Sequence, residues 1–205
     1  VNVNEQISIS KHYLDTRETS WDFKTLPLMV STINEHCNNS QQLNIQTHIS
    51  SLYDNIFLQE IYDNYKTKWS KLFFQLHRNE EELNRQFIGI YGLQDELTPD
   101  VPLEEITILQ EETSIENGEL VFHADEVFAQ FVSYAVGCMF GRYSLDKEGL
   151  ILANQGETLQ DYLEKVGRGE EELTFVPDRD NIIPVLDDEW FRDDIVERFH
   201  TFLKA

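Results

Sequence analysis

Positively charged residues are scarce in this chain of 205 residues. Lys and Arg number 16 against 38 Asp and Glu, so the formal net charge is −22 at pH 7. Residues 86–141 contain no Lys or Arg, yet eleven acidic residues lie between Asp95 and Glu126. Nucleic-acid affinity rests mainly on Lys and Arg that neutralise phosphates. Autonomous DNA binding by this chain is therefore not expected, and residues 86–141 are not expected to face DNA.

Cysteines are few and long apolar runs are absent. The two cysteines, Cys37 and Cys138, are far apart and form no CxxC motif, which favours a reduced, cytoplasmic protein. No apolar run approaches the roughly 20 residues that cross a bilayer. Residues 1–4 have neither the basic nor the apolar region of a signal peptide. We therefore expect no membrane association.

Both ends of the sequence favour a piece of a longer protein. The chain begins at Val1 without an initiator Met. Near its other end, apolar residues keep helical spacing almost to the last position: Phe191, Ile195, Phe199 and Phe202. An apolar helix face still in phase where a sequence stops is expected inside a longer polypeptide, although a C-terminal helix docked on its own core gives the same pattern.

Motifs that carry catalysis are missing from the sequence. An adenine-N6 methyltransferase needs a glycine-rich turn for S-adenosylmethionine and an Asn/Asp-Pro-Pro-Tyr/Phe loop for the base, and no Pro-Pro pair exists here. The glycine pairs Gly89/Gly92 and Gly137/Gly141 lie within helical patterns. No Pro-Asp pair is followed by Asp/Glu-x-Lys, and the six histidines lack metal-ligand spacing. We predict no catalytic, cofactor-binding or metal-binding residue, and a hydrolase or nuclease has no motif support.

Residues 51–98 have the pattern of a long helix or a helical hairpin. Residues 52–88 contain neither Pro nor Gly, and their apolar side chains recur in steps of three and four. Asn79 followed by three glutamates has the form of a helix N-cap, so a break near Asn79 is one alternative. Gly92 and Pro99 are expected to end the helix. Unbroken, it would be roughly 60 Å long and would suit a strut between larger bodies.

The fold class predicted for the whole chain is mainly α with a few short strands (α+β). Residues 1–50 are expected to form an irregular or extended lead-in, and residues 99–205 a mixed α/β part of a C-terminal region. Within that part we predict short strands over 105–109 and 149–153, a loop or partial helix over 154–172, and an extended segment over 181–185. Helices are expected to begin at Asp125 and at Asp187.

Basic residues of the long helix share one face. Lys68, Lys71, Arg78 and Arg85 follow helical spacing, and they are candidates for contact with a nucleic-acid backbone or with an acidic partner. The alternative is a solvated helix face with i,i+4 ion pairs, which is the more common role of such a face. The sequence favours this second role.

Several segments resemble one family of proteins. Residues 79–99 (NEEELNRQFIGIYGLQDELTP) are similar to the stretch that follows the catalytic core in BREX-type adenine-specific DNA methyltransferases, the PglX family. Residues 133–146 (SYAVGCMFGRYSLD) are the most specific match, and shorter similarities cover 19–28, 180–184 and 193–199. The resemblance thus covers both ends and most of residues 79–205, and it is weak over 38–50 and 154–176.

The resemblance implies a parent protein several times longer, which methylates adenine N6 with S-adenosylmethionine and marks host DNA in a phage-defence system similar to restriction-modification. The chain itself would be a non-catalytic helical spacer and the start of the target-recognition region. The implied partners are DNA through the parent, the remaining domains of the parent and other defence-system subunits. Direct contact with DNA would come from the basic helix face or from Arg142 and Arg168.

A stand-alone acidic interaction protein, such as a DNA mimic, is the alternative function. A mimic presents carboxylates at phosphate-like spacing, and a net charge of −22 is sufficient for that. The acids instead cluster at expected helix starts and between elements, as ordinary solvated charges do. We therefore favour the spacer segment.

Overall fold

Helices and one small hairpin make up the structure. A computed structural model describes residues 3–18, 20, 23–24, 26, 50–187, 191 and 193–205. The α-helices are α1 (Val3–Leu14), α2 (Ser50–Tyr91), α3 (Ala124–Met139), α4 (Leu159–Val166) and α5 (Ile195–Lys204). Strands β1 (Thr113–Glu116) and β2 (Glu119–Phe122) form an antiparallel sheet, and 3-10 turns cover Leu103–Glu105 and Glu170–Glu172. The predicted fold class is confirmed. In the described part of the chain, no helix is both long and apolar enough to cross a bilayer.

Two compact units divide the chain. Unit 1 comprises residues 1–15 and 27–127, and unit 2 comprises residues 16–26 and 128–205, so the boundary falls within α3. The irregular lead-in expected over residues 1–50 is wrong for residues 3–14, which form α1. Packing explains this helix, because Ile9 is buried and the ring of His12 stacks on that of Trp69. Residues 27–49 of the expected lead-in lie outside the described residues, and the boundaries at 50 and 98 stay predictions.

Helix α2 is continuous over 42 residues, about 60 Å at about 1.5 Å per residue. The alternative of a helical hairpin broken near Asn79 is therefore wrong. Asn79 is buried, and its side-chain oxygen accepts a hydrogen bond from Gln75 Nε2 at 2.9 Å, so it is held within the helix and does not cap a new one. The helix ends as expected at Gly92, after which Leu93 N–H donates to the Ile88 carbonyl at 3.0 Å.

Trp69 on α2 is at the centre of the core of unit 1. Its side chain is fully buried, and its ring contacts those of His12, Tyr13 and Tyr65 with centroids 5.5, 5.7 and 6.3 Å away. The Tyr65 hydroxyl donates to Glu112 Oε1 at 2.8 Å, so the polar end of that ring has a partner in the core. These contacts fasten α1 and the segment before β1 to the middle of α2.

Strands occur at other positions than the sequence predicted. Residues 105–109 are not a strand, because Leu103–Glu105 form a 3-10 turn and Leu109 adopts a positive φ of 66°. Ile106, Ile108 and Leu109 are nonetheless buried, so the apolar pattern marks core residues of an irregular segment. The observed hairpin turns at Asn117 and Gly118, with φ of 53° and 81°, the backbone required by a tight two-residue turn.

Unit 2 is built around the second half of α3. Buried side chains of α3 pack against the aromatic rings of α5. The ring centroid of Phe202 on α5 lies 5.9 Å from that of Phe131 and 6.4 Å from that of Tyr134. The expected start of α3 at Asp125 is correct to one residue. Helix α4 accounts for the partial helix expected over 154–172.

Two expectations for unit 2 are wrong. Helix α5 begins at Ile195 and not at Asp187, because Asp194 is the N-cap and its carboxylate accepts the Glu197 N–H at 2.8 Å. Residues 149–153 form no strand. Two hydrogen bonds, from Ile151 N–H to the Arg142 carbonyl and from Leu152 N–H to the Gly141 carbonyl, hold this segment against the end of α3 instead.

Candidate binding site

A cleft of about 640 Å³ opens in unit 2 beside the C-terminal end of α3. Its size falls in the range of small-molecule sites. Three parts of unit 2 form it: the end of α3 with the residues that follow, the residues Glu18, Ser20 and Phe23, and Leu150. The lining residues that carry polar or aromatic groups are Glu18, Ser20, Phe23, Ser133, Phe140, Arg142 and Tyr143. Ser20 and Phe23, which belong to the similar segment 19–28, therefore lie at this cleft together with residues of the similar segment 133–146.

The end of α3 sets the shape of the cleft. Arg142 N–H donates to the Gly137 carbonyl at 2.8 Å and Gly141 N–H to the Cys138 carbonyl at 3.1 Å, the paired bonds of a Schellman ending, with φ of 71° at Gly141. The chain then turns back, and the ring of Tyr143 lies directly on Gly137. A Cβ atom at position 137 would be 2.5 Å from this ring, so glycine is required there.

Glu18 supplies a carboxylate to the cleft. Its segment is fastened to α3 by two side-chain hydrogen bonds, from Arg17 to Gln130 at 2.8 Å and from Ser133 Oγ to Glu18 Oε2 at 3.0 Å. The other oxygen, Oε1, is buried and has no hydrogen-bond partner among the described residues. Burial raises the pKa of Glu18, and the hydrogen bond from Ser133 and the charge of Arg142 only partly offset this.

Arg142 supplies a cation at the same place. Its Nε donates to the Tyr143 hydroxyl at 3.1 Å, and its guanidinium carbon lies 5.6 Å from the centre of that ring. The side chain is exposed, and its two terminal nitrogens have no partner within the described part of the chain. Burial raises the pKa of Tyr143, so its hydroxyl stays protonated near neutral pH.

The basic face predicted on α2 lies in unit 1 and is only partly available. Lys71 and Arg78 are exposed, and Arg78 donates to Gln75 at 3.0 Å. Arg85 forms an ion pair with Glu82. Lys68 is half-buried with its ammonium 5.8 Å from the Trp69 ring, and burial lowers its pKa. Lys71 and Arg78 are thus the exposed members of this face that form no ion pair among the described residues.

Arg168 forms an ion pair within unit 2. It pairs with Asp146, whose side chain is only 3% exposed. The same carboxylate accepts hydrogen bonds from the backbone and the hydroxyl of Thr174, at 2.9 and 2.7 Å. These charge-assisted bonds join the residues after α4 to the segment that follows α3. The structure thus separates Arg168, which is engaged, from Arg142, which faces the cleft.

The glycine pairs do not form a site for S-adenosylmethionine. Gly89 is inside α2, and Gly137 is inside α3 with its open side filled by the Tyr143 ring. Neither pair makes a turn between a strand and a helix, the usual position of a glycine-rich cofactor loop. Neither glycine pair therefore forms a loop of that kind. Among the described residues, no group of three or more His, Cys, Asp or Glu side chains is placed to hold a metal ion.

Sequence reasoning identified Arg142 as a candidate contact residue but missed Glu18 and Phe23. Glu18 and Ser133 are 115 positions apart, and no local pattern predicts that they meet. The signal that existed was indirect: Ser133 and Phe23 lie in segments that carry the family resemblance, and Glu18 directly precedes one of them.

Comparisons with known proteins agree with the resemblance. No family model matches the chain. It is 31% identical over 199 residues, 96% of its length, to the adenine-specific methyltransferase PglX of Lacticaseibacillus casei (strain Zhang). It is also 31% identical over 203 residues, 97% of its length, to the adenine-specific methyltransferase BrxX of Escherichia coli O9:H4 (strain HS). The chain spans 13% and 15% of the lengths of these relatives. The resemblance to PglX-type adenine-specific methyltransferases is therefore confirmed, and over nearly its whole length the chain corresponds to one segment of those longer proteins.

Proposed function

We propose that this chain is a non-catalytic spacer and target-recognition segment of a longer, S-adenosylmethionine-dependent N6-adenine DNA methyltransferase in a BREX-type phage-defence system. The observation that carries the proposal is the near full-length similarity to two adenine-specific methyltransferases, of which the chain spans only 13% and 15%. Such an enzyme acts on DNA in the cytoplasm, and its remaining domains and other defence subunits are the partners of this segment.

Catalysis is assigned to other parts of the longer protein. The chain has no Pro-Pro pair for a base-binding loop, and neither of its glycine pairs makes a turn between a strand and a helix. The continuous 42-residue α2 supports the spacer role, since a helix of about 60 Å is long enough to separate two domains. The excess of acidic residues over 86–141 agrees with a part of the protein that is turned away from DNA.

Any contact with DNA within the longer protein is assigned first to Lys71, Arg78 and Arg142. These side chains are exposed and have no acidic partner among the described residues. Arg85 and Arg168 would have to leave Glu82 and Asp146, and Lys68 would have to leave its half-buried position. Each of these three moves costs free energy that a phosphate contact must first offset.

A methyl-transfer assay tests whether catalysis belongs to other parts of the longer protein. Labelled S-adenosylmethionine and adenine-containing duplex DNA are incubated with the chain alone and with the longer protein that contains it. We expect label in DNA only with the longer protein, because the sequence of the chain contains no Asn/Asp-Pro-Pro-Tyr/Phe motif for the target base. Label transferred by the chain alone would overturn the proposal. A large excess of the chain that blocks the longer enzyme by competing with DNA would favour the DNA mimic instead.

A further inference from the structure

We propose that the last turns of α2 dock on another domain of the longer protein, through a distal patch made of Phe87, Ile90 and Tyr91. The surface that this patch meets has an apolar centre and a rim of Lys or Arg side chains. The inference rests on the proposed function only in that this chain is one segment of a longer protein, since it spans 13% and 15% of two relatives.

The apolar stripe of α2 continues beyond the core that covers it. In unit 1 this stripe is buried at Ile61, Tyr65, Trp69, Phe73 and Leu76. Leu83, Phe87 and Ile90 follow on the same side at helical spacing. Leu83 is half-buried, whereas Phe87, Ile90 and Tyr91 are 50, 74 and 70% exposed. An apolar helix face of this kind normally lies against a packing partner, and here its last two turns are open.

The segment that returns along α2 packs on another face of the helix. Beyond the helix end, Val101 N–H donates to Glu81 Oε1 at 3.4 Å, and the Val101 carbonyl oxygen lies 2.7 Å from the ring nitrogen Nε2 of His77. Glu81 lies roughly 120° around the helix from Phe87, at 3.6 residues per turn. The rings of Phe87 and Tyr91 stack on each other with centroids 6.4 Å apart. The distal patch is thus a continuous apolar surface that the returning segment leaves open.

The charges around the distal patch select its partner. Arg85 is the only Lys or Arg in residues 79–141, and it pairs with Glu82. Asp95 and Glu96 follow the helix closely and are exposed. An acidic rim is complementary to a basic one, whereas the same patch on a second copy would bring like charges together. A second copy with its own net charge of −22 is therefore disfavoured, and a basic-rimmed surface elsewhere in the longer protein is favoured.

Hydroxyl-radical oxidation of side chains, read by mass spectrometry, tests this docking in the longer protein with the chain alone beside it. Tyr91 is 70% exposed in the chain and the centre of an interface is fully buried, so its oxidation should be roughly tenfold slower in the longer protein. Ile90→Asp should remove this protection, because it places an unpaired charge in the interface. The double variant Asp95→Lys, Glu96→Lys should weaken the protection by repelling the basic rim. Glu119→Lys, a matched charge reversal at an exposed position of the hairpin, should leave it unchanged.

Equal oxidation of Tyr91 in the chain and in the longer protein would overturn the docking, as would protection that survives both the Ile90 and the double acid variants. Protection that appears in the chain alone and grows with its concentration would assign the patch to a second copy and also overturn the proposal. Methyl transfer to DNA, measured on the same sample of longer protein, separates this result from the proposed function. Methyl transfer with Tyr91 unprotected contradicts only the docking, and a protected Tyr91 without methyl transfer contradicts only the proposed function.

Discussion

Replacing Gly137 with alanine is expected to lower the free energy of unfolding by about 1–3 kcal/mol, the usual cost of overpacking a core. The new Cβ would be 2.5 and 2.6 Å from two carbons of the Tyr143 ring, well inside van der Waals contact. The ring has no room to withdraw, because it is only 2% exposed and stacks on Tyr134 at 5.3 Å with Phe23 at 4.9 Å on another side. Urea unfolding followed by circular dichroism measures the change.

Gly89→Ala is the matched control for this substitution. Gly89 also lies inside a helix, but a Cβ atom added at this position would meet no heavy atom within 4 Å. Alanine is favoured over glycine in a helix interior by up to about 1 kcal/mol, so this variant should be slightly more stable than the unaltered chain. The packing of Tyr143 on Gly137 requires that alanine lowers the free energy of unfolding at position 137 and raises it slightly at position 89. Equal, small effects at both would mean that Tyr143 does not lie on α3.

Replacing Trp69 with alanine should cost about 3–5 kcal/mol, the typical range for a large aromatic residue in a core. The side chain has 0% exposure, and its ring contacts those of His12, Tyr13 and Tyr65. Its loss opens a cavity between α1 and α2 that these rings cannot fill. Thermal and urea unfolding of unit 1, followed by the circular dichroism of its helices, report the loss.

Phe87→Ala on the same helix provides the comparison. Phe87 is an aromatic residue of α2 that is 50% exposed, and its stacking partner is Tyr91, one turn away. Truncating it should change stability by less than about 0.5 kcal/mol, as for other surface positions. A cost at Phe87 equal to that at Trp69 would contradict the assignment of the core to the middle of α2.

The spacing of apolar residues was sufficient to predict α2 but not its continuity. The stripe that includes Ile61, Tyr65 and Trp69 is buried as expected. The signal for a break at Asn79 was a local one, an N-cap residue followed by glutamates. It was wrong because the Asn79 side chain is buried and accepts from Gln75 within the helix, so tertiary burial outweighed the local capping preference.

The hairpin shows the opposite case, in which a local signal was present and not used. Asn117-Gly118 between two short β-prone runs is the strongest short-range indication of a tight hairpin turn, and the structure has it. The strand predicted over 105–109 came from apolar alternation. Alternation reports which residues are buried, and here it marks an irregular segment of the core with no strand partner in the described residues.

The cleft depends on contacts that no sequence pattern contains. Glu18 and Ser133 meet across 115 positions, and the carbonyl of Lys24 accepts from Gly149 N–H at 2.7 Å. The end of α3 does have a local signal in the sequence, because Gly141 can adopt the positive φ of 71° that the helix ending requires. The side on which the chain turns back, which brings Tyr143 onto Gly137, follows only from the packing of unit 2.

DNA binding by the chain alone and by the longer protein tests the central claim most directly. Fluorescence anisotropy with labelled duplex DNA, between about 50 and 200 mM salt, separates electrostatic from specific binding. With a net charge of −22, the chain alone should give no saturable binding of duplex at any salt concentration, while the longer protein binds. Tight, sequence-specific duplex binding by the chain alone would contradict the account and would place target recognition entirely within these residues.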